Sequence, residues 1–228
     1  MYKLHFVNGR SLIIDLHLNG KTVLVIGAGN EALKRIKLLE SEECKIIVIG
    51  EKPNPEIIKL SKQKKIKLEK TKFTSTQTLK KLKPFLVIAS TSDSSVNQKI
   101  IDAAKKMKIL AYASDSPDSS DISYLSIINH KNTIKVGIST SGSSPIMAKT
   151  IKSKTEKFLQ KNISKTDLEL IKIQKFARNE SRKFISSQIE RKKFLYAIMN
   201  DKRVKELLKD GKYMRIRTVI KKMVKDWK

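Results

Sequence analysis

Short apolar runs and amphipathic stretches alternate through the first half of the chain. Residues 23–26, 45–49, 84–89 and 109–113 are mostly β-branched or otherwise apolar, which suits strands buried on both faces. A three-residue run at 66–68 reads as a short edge strand, and residues 12–16 as an edge strand or a lead-in. Helical spacing fills the gaps. After the first run, Ala32, Leu33, Ile36 and Leu39 share one side, with Lys34, Arg35 and Lys37 opposite. Further helices are predicted from Pro55 to about Gln63, over 76–82, and over 96–107 with Ile100, Ile101, Ala104 and Met107 inward. Strands alternating with helices predict an α/β fold with a Rossmann-like, doubly wound parallel sheet. Residues 1–11 carry no clear pattern.

The texture changes after Ala113. Residues 114–121 form a polar loop with three carboxylates. Two strands, 124–128 and 133–139, flank a turn at His130-Lys131-Asn132 and predict a hairpin-like unit. From Pro145 onward only helices are expected. An earlier helical pair is read over 184–189 and 194–199, with Asp210-Gly211 as a break. Ile216, Val219, Ile220, Met223, Val224 and Trp227 then form one apolar stripe with basic residues opposite.

The first apolar run leads directly into Gly27-Ala28-Gly29, and Ala32 completes a Gly-x-Gly-x-x-Ala spacing. Gly27 lets the chain turn sharply, Gly29 lacks the Cβ that would block a pyrophosphate, and Ala32 lets helix and strand pack closely. A helix start there offers free N–H groups to phosphates. Strand before and helix after favour a dinucleotide site over a plain tight turn. Glu51, 24 positions after Gly27, ends the second strand and can accept hydrogen bonds from an adenosine ribose, which favours NAD. Lys52 beside it could instead meet the 2′-phosphate of NADP. Ligands of such sheets sit beyond the carboxyl ends of the strands. That gathers residues 27–31, Glu51, 91–93 and 114–115 around one crevice. In the motif at 139–145, Ser144 is a good N-cap and Pro145 a good first helical residue. Its hydroxyls and N–H groups suit an anion, and equally an ordinary capped turn.

Charge adds a second theme. The chain carries 49 Lys and Arg against 22 Asp and Glu, a net of +27. From Ile151 onward 24 basic residues face 9 acidic ones. Such a surface attracts polyanions, either nucleic acid or a multiply carboxylated small molecule. Lysine spread over every helix face favours a simple role in solubility, and nucleic acid is not the expected partner. The single cysteine, Cys44, excludes an internal disulfide and reads as a buried strand-edge residue. His5, His17 and His130 are scattered, so no metal site is expected. No apolar segment has signal-peptide or membrane-spanning length, and a cytoplasmic protein is expected.

Four motifs in order resemble a known family. They are Leu-Asn-Gly-Lys-Thr-Val-Leu-Val-Ile-Gly-Ala-Gly (18–29), Leu-Val-Ile-Ala-Ser-Thr-Ser-Asp (86–93) with Asn97 after it, Ser-Asp-Ser-Pro-Asp-Ser-Ser-Asp (114–121) and Ile-Ser-Thr-Ser-Gly-Ser-Ser-Pro (138–145). From about Leu12 to Leu159 the chain resembles the siroheme synthase N-terminal module: precorrin-2 dehydrogenase and, in some members, sirohydrochlorin ferrochelatase. The resemblance implies an NAD-binding Rossmann domain (1–113), a dimerisation and active-site region (114–150) and a helical C-terminal domain (151–228). It implies a homodimer that oxidises precorrin-2 with NAD. The family's dinucleotide contacts map onto Asn30, Glu31, Glu51 and Lys52, which join Gly27, Gly29, Thr91 and Asp93 of the crevice as expected cofactor-binding residues, and its catalytic carboxylate maps onto Asp115. Tetrapyrrole carboxylates are expected at Ser141, Gly142, Ser143 and Ser144. Tyr112, Ser116, Ile122 and Leu125 depart from the family pattern. A contrasting reading, motivated by the basic tail, is a non-catalytic NAD(H)-sensing module.

Overall fold

The computed structural model describes residues 12–227. They fall into two compact units that divide between Leu125 and Ser126.

The first unit is built on five parallel strands: β1 (Thr22–Ile26), β2 (Lys45–Ile49), β3 (Lys67–Glu69), β4 (Leu86–Ala89) and β5 (Leu110–Ala113). Their order across the sheet is β3-β2-β1-β4-β5. Every connection is a helical crossover: α1 (Asn30–Leu39), α2 (Pro55–Lys62), α3 (Gln77–Leu82) and α4 (Ser94–Lys106). Strand alternation sends successive residues to opposite faces. Val23, Val25, Val48 and Ile88 pack beneath α1 and α2 with Ala32, Ile36, Ile57 and Leu60. Leu24, Ile26, Ile47 and Val87 pack on the other face against Leu79 of α3 and Ile100, Ile101 and Ala104 of α4. Burial on both faces is why the strands are unbroken apolar runs.

The strand order reverses about β1, which is paired on one side with β2 and on the other with β4. Such a reversal opens a crevice at the carboxyl ends of the strands. The free edge of β5 is covered by the loop that follows it. Ala111 N–H donates to Asp121 Oδ2 at 3.0 Å and Ala113 N–H to Ser120 Oγ at 2.9 Å. Asp121 therefore secures an edge strand. Residues 12–16 form no strand, and Leu12, Ile13 and Ile14 are exposed. Cys44 is partly buried against the first core, as a strand-edge residue. The unpatterned residues 1–11, with His5, lie outside the described residues.

The second unit opens with an antiparallel hairpin, β6 (Ser126–His130) and β7 (Ile134–Ile138), against which α5 (Pro145–Asn162) packs. Four helices follow: α6 (Lys165–Phe184), α7 (Gln188–Asn200), α8 (Lys202–Lys209) and α9 (Tyr213–Lys225). The predicted stripe of α9 is the buried one: Ile216, Ile220 and Val224 join Ile173, Phe194, Ile198 and Val204 in one core. The expected helix over 184–189 is interrupted at 185–187, between the end of α6 at Phe184 and the start of α7 at Gln188. Ser187 caps α7 by accepting from Glu190 N–H at 3.3 Å, and Phe184 and Ile189 stay exposed. Among the described residues no helix is long and apolar enough to cross a membrane.

Candidate dinucleotide site

The turn after β1 is set by close packing. Gly27 has φ +110°, and a Cβ there would lie 2.2 Å from the Ser90 carbonyl oxygen. Only glycine permits that approach. A Cβ on Gly29 would meet nothing within 4 Å. Gly29 is the N-cap of α1 and offers no side-chain cap. Among the described residues, the N–H groups of Asn30, Glu31 and Ala32 have no backbone or side-chain acceptor. Three convergent donors, a positive helix end and open space above Gly29 fit a pyrophosphate.

Neighbouring groups hold this turn in place. Asn54 caps α2 and reaches back, its N–H donating to Ala28 O and its Nδ2 to Asn30 Oδ1, both at 2.8 Å. Gly50 ends β2 so tightly against the turn that a Cβ would sit 2.4 Å from Ala28 Cβ. Glu31 pairs with Lys34 at 2.5 Å, and that hydrogen bond lowers its carboxyl pKa. The pairing offsets a negative charge at an anion-binding helix start. Glu51 and Lys52 follow Gly50 as exposed side chains at the carboxyl end of β2.

The second half of the edge is organised by Asn97, which is 1% exposed. Its Oδ1 accepts from Thr91 N–H at 3.0 Å and from Thr91 Oγ1 at 2.8 Å. Its Nδ2 donates to Thr91 O at 3.1 Å and to Asp115 Oδ2 at 3.0 Å. One amide thus uses both donors and both acceptor sites, tying the end of β4 to the residue beyond β5. Hydrogen bonds from the Ser94 hydroxyl and then from Asn97 outweigh burial and hold the Asp115 carboxyl below its ordinary value. Asp115 is therefore an exposed, ionised carboxylate with a fixed orientation. Asp93 is used differently: its Oδ1 accepts from Ser95 N–H at 2.9 Å and Val96 N–H at 3.2 Å and caps α4.

Two hydroxyls complete the edge. Ser90 and Ser114 follow β4 and β5, where Ser114 N–H donates to Ala89 O at 3.0 Å. Their Oγ atoms are buried and have no hydrogen-bond partner. Ser90 also supplies the carbonyl that presses on Gly27, and orphan hydroxyls at the strand ends suit the polar groups of a dinucleotide. Tyr112 lies deeper and is structural. Its hydroxyl accepts from Arg35 Nη2 at 2.7 Å, and the guanidinium stacks over Tyr112 and Tyr124 at 5.0 and 4.4 Å. Burial, opposed by Arg35, pushes the Tyr124 hydroxyl up to about 12.

Thus Gly27, Gly29, Asn30, Glu31, Thr91, Asp93 and Asp115 share one sheet edge, with Glu51 and Lys52 at the adjoining strand end. The sequence pattern left Asn97, Ser94, Gly50 and Ser90 out of the site, whereas it placed Ser114 within the crevice. Asn97 stood in a quoted motif, but its role depends on a contact 18 residues away.

Ser141, Gly142, Ser143 and Ser144 belong to the second unit. Ser143 N–H donates to Thr140 O at 2.9 Å, closing a turn whose central residues have φ +49° and +78°. Ser144 caps α5, accepting from Met147 N–H at 3.2 Å. Ser141, Gly142 and Ser143 are exposed. Among the described residues, no group of three or more His, Cys, Asp or Glu is placed to hold a metal.

Comparison with known proteins points to the same class of cofactor. Residues 14–126 match a family described as putative NAD(P)-binding. The chain is 30% identical over 145 residues to siroheme synthase of Nitrosococcus oceani, covering 64% of this chain and 30% of that one. It is 29% identical over 151 residues to precorrin-2 dehydrogenase of Bacillus subtilis, covering 65% and 88% respectively. The solved structure of SirC, precorrin-2 dehydrogenase, shares the fold with a TM-score of 0.66 at 23% identity, covering 93% of this chain and all of that one. The chain spans under a third of the length of that siroheme synthase. Residues 14–126 thus match the putative NAD(P)-binding family, and the chain is similar to siroheme synthases and precorrin-2 dehydrogenases.

Proposed function

We propose that the chain is an NAD-dependent precorrin-2 dehydrogenase that forms sirohydrochlorin for siroheme. The observation that carries this reading is the ionised, oriented Asp115 on the same sheet edge as the glycine turn, in a relative of enzymes so named.

The N–H groups of Asn30, Glu31 and Ala32 would hold the pyrophosphate of NAD⁺, and Glu51 would accept from its adenosine ribose. Thr91, Asp93 and the Ser90 and Ser114 hydroxyls line the other half. When bound, NAD⁺ supplies a two-electron acceptor for hydride. Oxidation of precorrin-2 breaks one C–H bond with its electron pair and releases one proton. Asp115 receives that proton as general base, which its depressed pKa keeps available across neutral pH. The positive chain attracts a substrate with eight carboxylates. The exposed turn Ser141-Gly142-Ser143, with the helix start at Ser144, offers donors to such groups. Asp115 also serves as base for pyrrole N–H protons if Fe²⁺ is inserted into the product.

A homodimer and a cytoplasmic location belong to the same proposal, as does the division at 113 and 150. Ile146, Met147, Ile151 and Phe158 leave an apolar face of α5 exposed, and Ile127 does the same on the hairpin. An exposed apolar set of this kind fits an isologous contact.

The test is anaerobic incubation with precorrin-2 and NAD⁺, following NADH absorbance, with NADP⁺ and Fe²⁺ as further arms. Asp115→Asn should fold and bind NAD⁺ while turnover falls about 100-fold or more. Full activity in that variant would remove Asp115 from the mechanism.

A further inference from the structure

The helical unit contains a cavity of about 440 Å³ between α6 and α7. Its walls are two facing stripes at helical spacing. Arg178, Ser181 and Arg182 come from α6, and Gln188, Arg191, Lys192 and Leu195 from α7. Four cations thus surround one hollow, beside the start of a helix.

No carboxylate answers them. Asp167 closes the capping box of α6 with Ser164. Glu169, Glu180 and Glu190 pair with Lys172, Lys183 and Lys193. Those are all the acidic residues of the two helices. Arg178, Arg182 and Lys192 have no ion-pair partner among the described residues. Arg191 donates from Nη1 to Ile185 O at 2.8 Å and Ser186 O at 2.7 Å, so it is held in place with its charge uncompensated. The Gln188 and Ile189 N–H groups at the start of α7 also lack acceptors among the described residues.

Like charges gathered around a hollow repel one another, and a bound anion relieves that repulsion. Guanidinium forks match carboxylate and phosphate oxygens two at a time. The volume is suited to a small ligand, and Ile189 and Leu195 give one apolar wall. We propose that this cavity binds a small organic polyanion carrying at least two carboxylate or phosphate groups. The site lies wholly within the helical unit, and it does not depend on the dehydrogenase reading.

The experiment is calorimetric titration of the full chain at constant ionic strength, with pyrophosphate in one arm and citrate in the other. With NAD⁺ present at saturation to occupy the glycine turn, one saturable site is expected in at least one arm. The double variant Arg178→Gln/Arg182→Gln should weaken it at least tenfold while helical circular dichroism and Tm stay unchanged. A charge-matched control, Lys157→Gln/Lys161→Gln on α5, should leave it unaltered. Binding of pyrophosphate alone would assign the anion to phosphorylated compounds, and of citrate alone to polycarboxylates. Absence of saturable binding in both arms would overturn the proposal. So would equal weakening in both double variants, since diffuse charge then suffices. Duplex DNA binding that the cavity variant abolishes, with neither small anion bound, would also overturn it.

Discussion

The two helix starts that sequence reasoning singled out as anion sites are built in opposite ways. At α1 the N-cap is glycine, no side chain returns to the backbone, and Asn30, Glu31 and Ala32 keep free N–H groups. At α5 Ser144 accepts from Met147 N–H, Pro145 has no N–H, and Thr140 Oγ1 accepts from Ser144 N–H at 3.2 Å. The first start leaves its donors for something outside the protein. The second uses most of them to stop and start its own chain. A helix start is a strong ligand site to the extent that the protein declines to cap it.

The sharpest way to break this contrast is Gly27→Ala. The added carbon meets backbone at 2.2 Å where φ is +110°, so the first unit should lose roughly 3 kcal/mol or more of stability. Urea denaturation reads this, and an unchanged midpoint would contradict the close approach. Asn97→Ala comes next, because it leaves buried backbone groups of Thr91 unpaired and should cost about 2 kcal/mol. It also removes a donor from Asp115. The Asp115 pKa is depressed in the folded protein, so its contribution is present above the unfolded value and fades as pH falls through the folded one. Losing the Asn97 hydrogen bond raises the folded value. The acid limb of the pH–rate profile should therefore move to higher pH. Gly29→Ala meets no atom within 4 Å and should fold normally, yet bind NAD⁺ about tenfold more weakly, near 1.4 kcal/mol. The smallest effect belongs to the capped start. Ser144→Ala should lower stability by about 1 kcal/mol and leave NAD⁺ affinity untouched in the same titration.

Much of the first unit was legible because its signals are local. A strand buried on both faces must be apolar at every position, so β1, β2, β4 and β5 stood out as runs. The glycine spacing marked the turn because only a residue without Cβ tolerates φ +110° there. Residues 184–189 misled because Ile185 and Ile189 stand four apart, the spacing of one helix face, while Ser187 ends the pattern by capping. Asp93 lies at the expected sheet edge, and its carboxylate has the further task of capping α4, which depends on Ser95 and Val96.

By itself, then, the sequence determined the alternation of elements, the parallel sheet, the dinucleotide turn, the hairpin and the apolar face of α9. Each follows from periodicity or sterics within a few residues. Only the tertiary structure decided that Gly50 presses on Ala28, that Asn97 orients Asp115, that Asp121 closes the edge of β5, and that four cations of α6 and α7 share one cavity. Those outcomes depend on which distant backbones are brought within a few ångströms. Strand order and helix packing set that, and no local pattern encodes it.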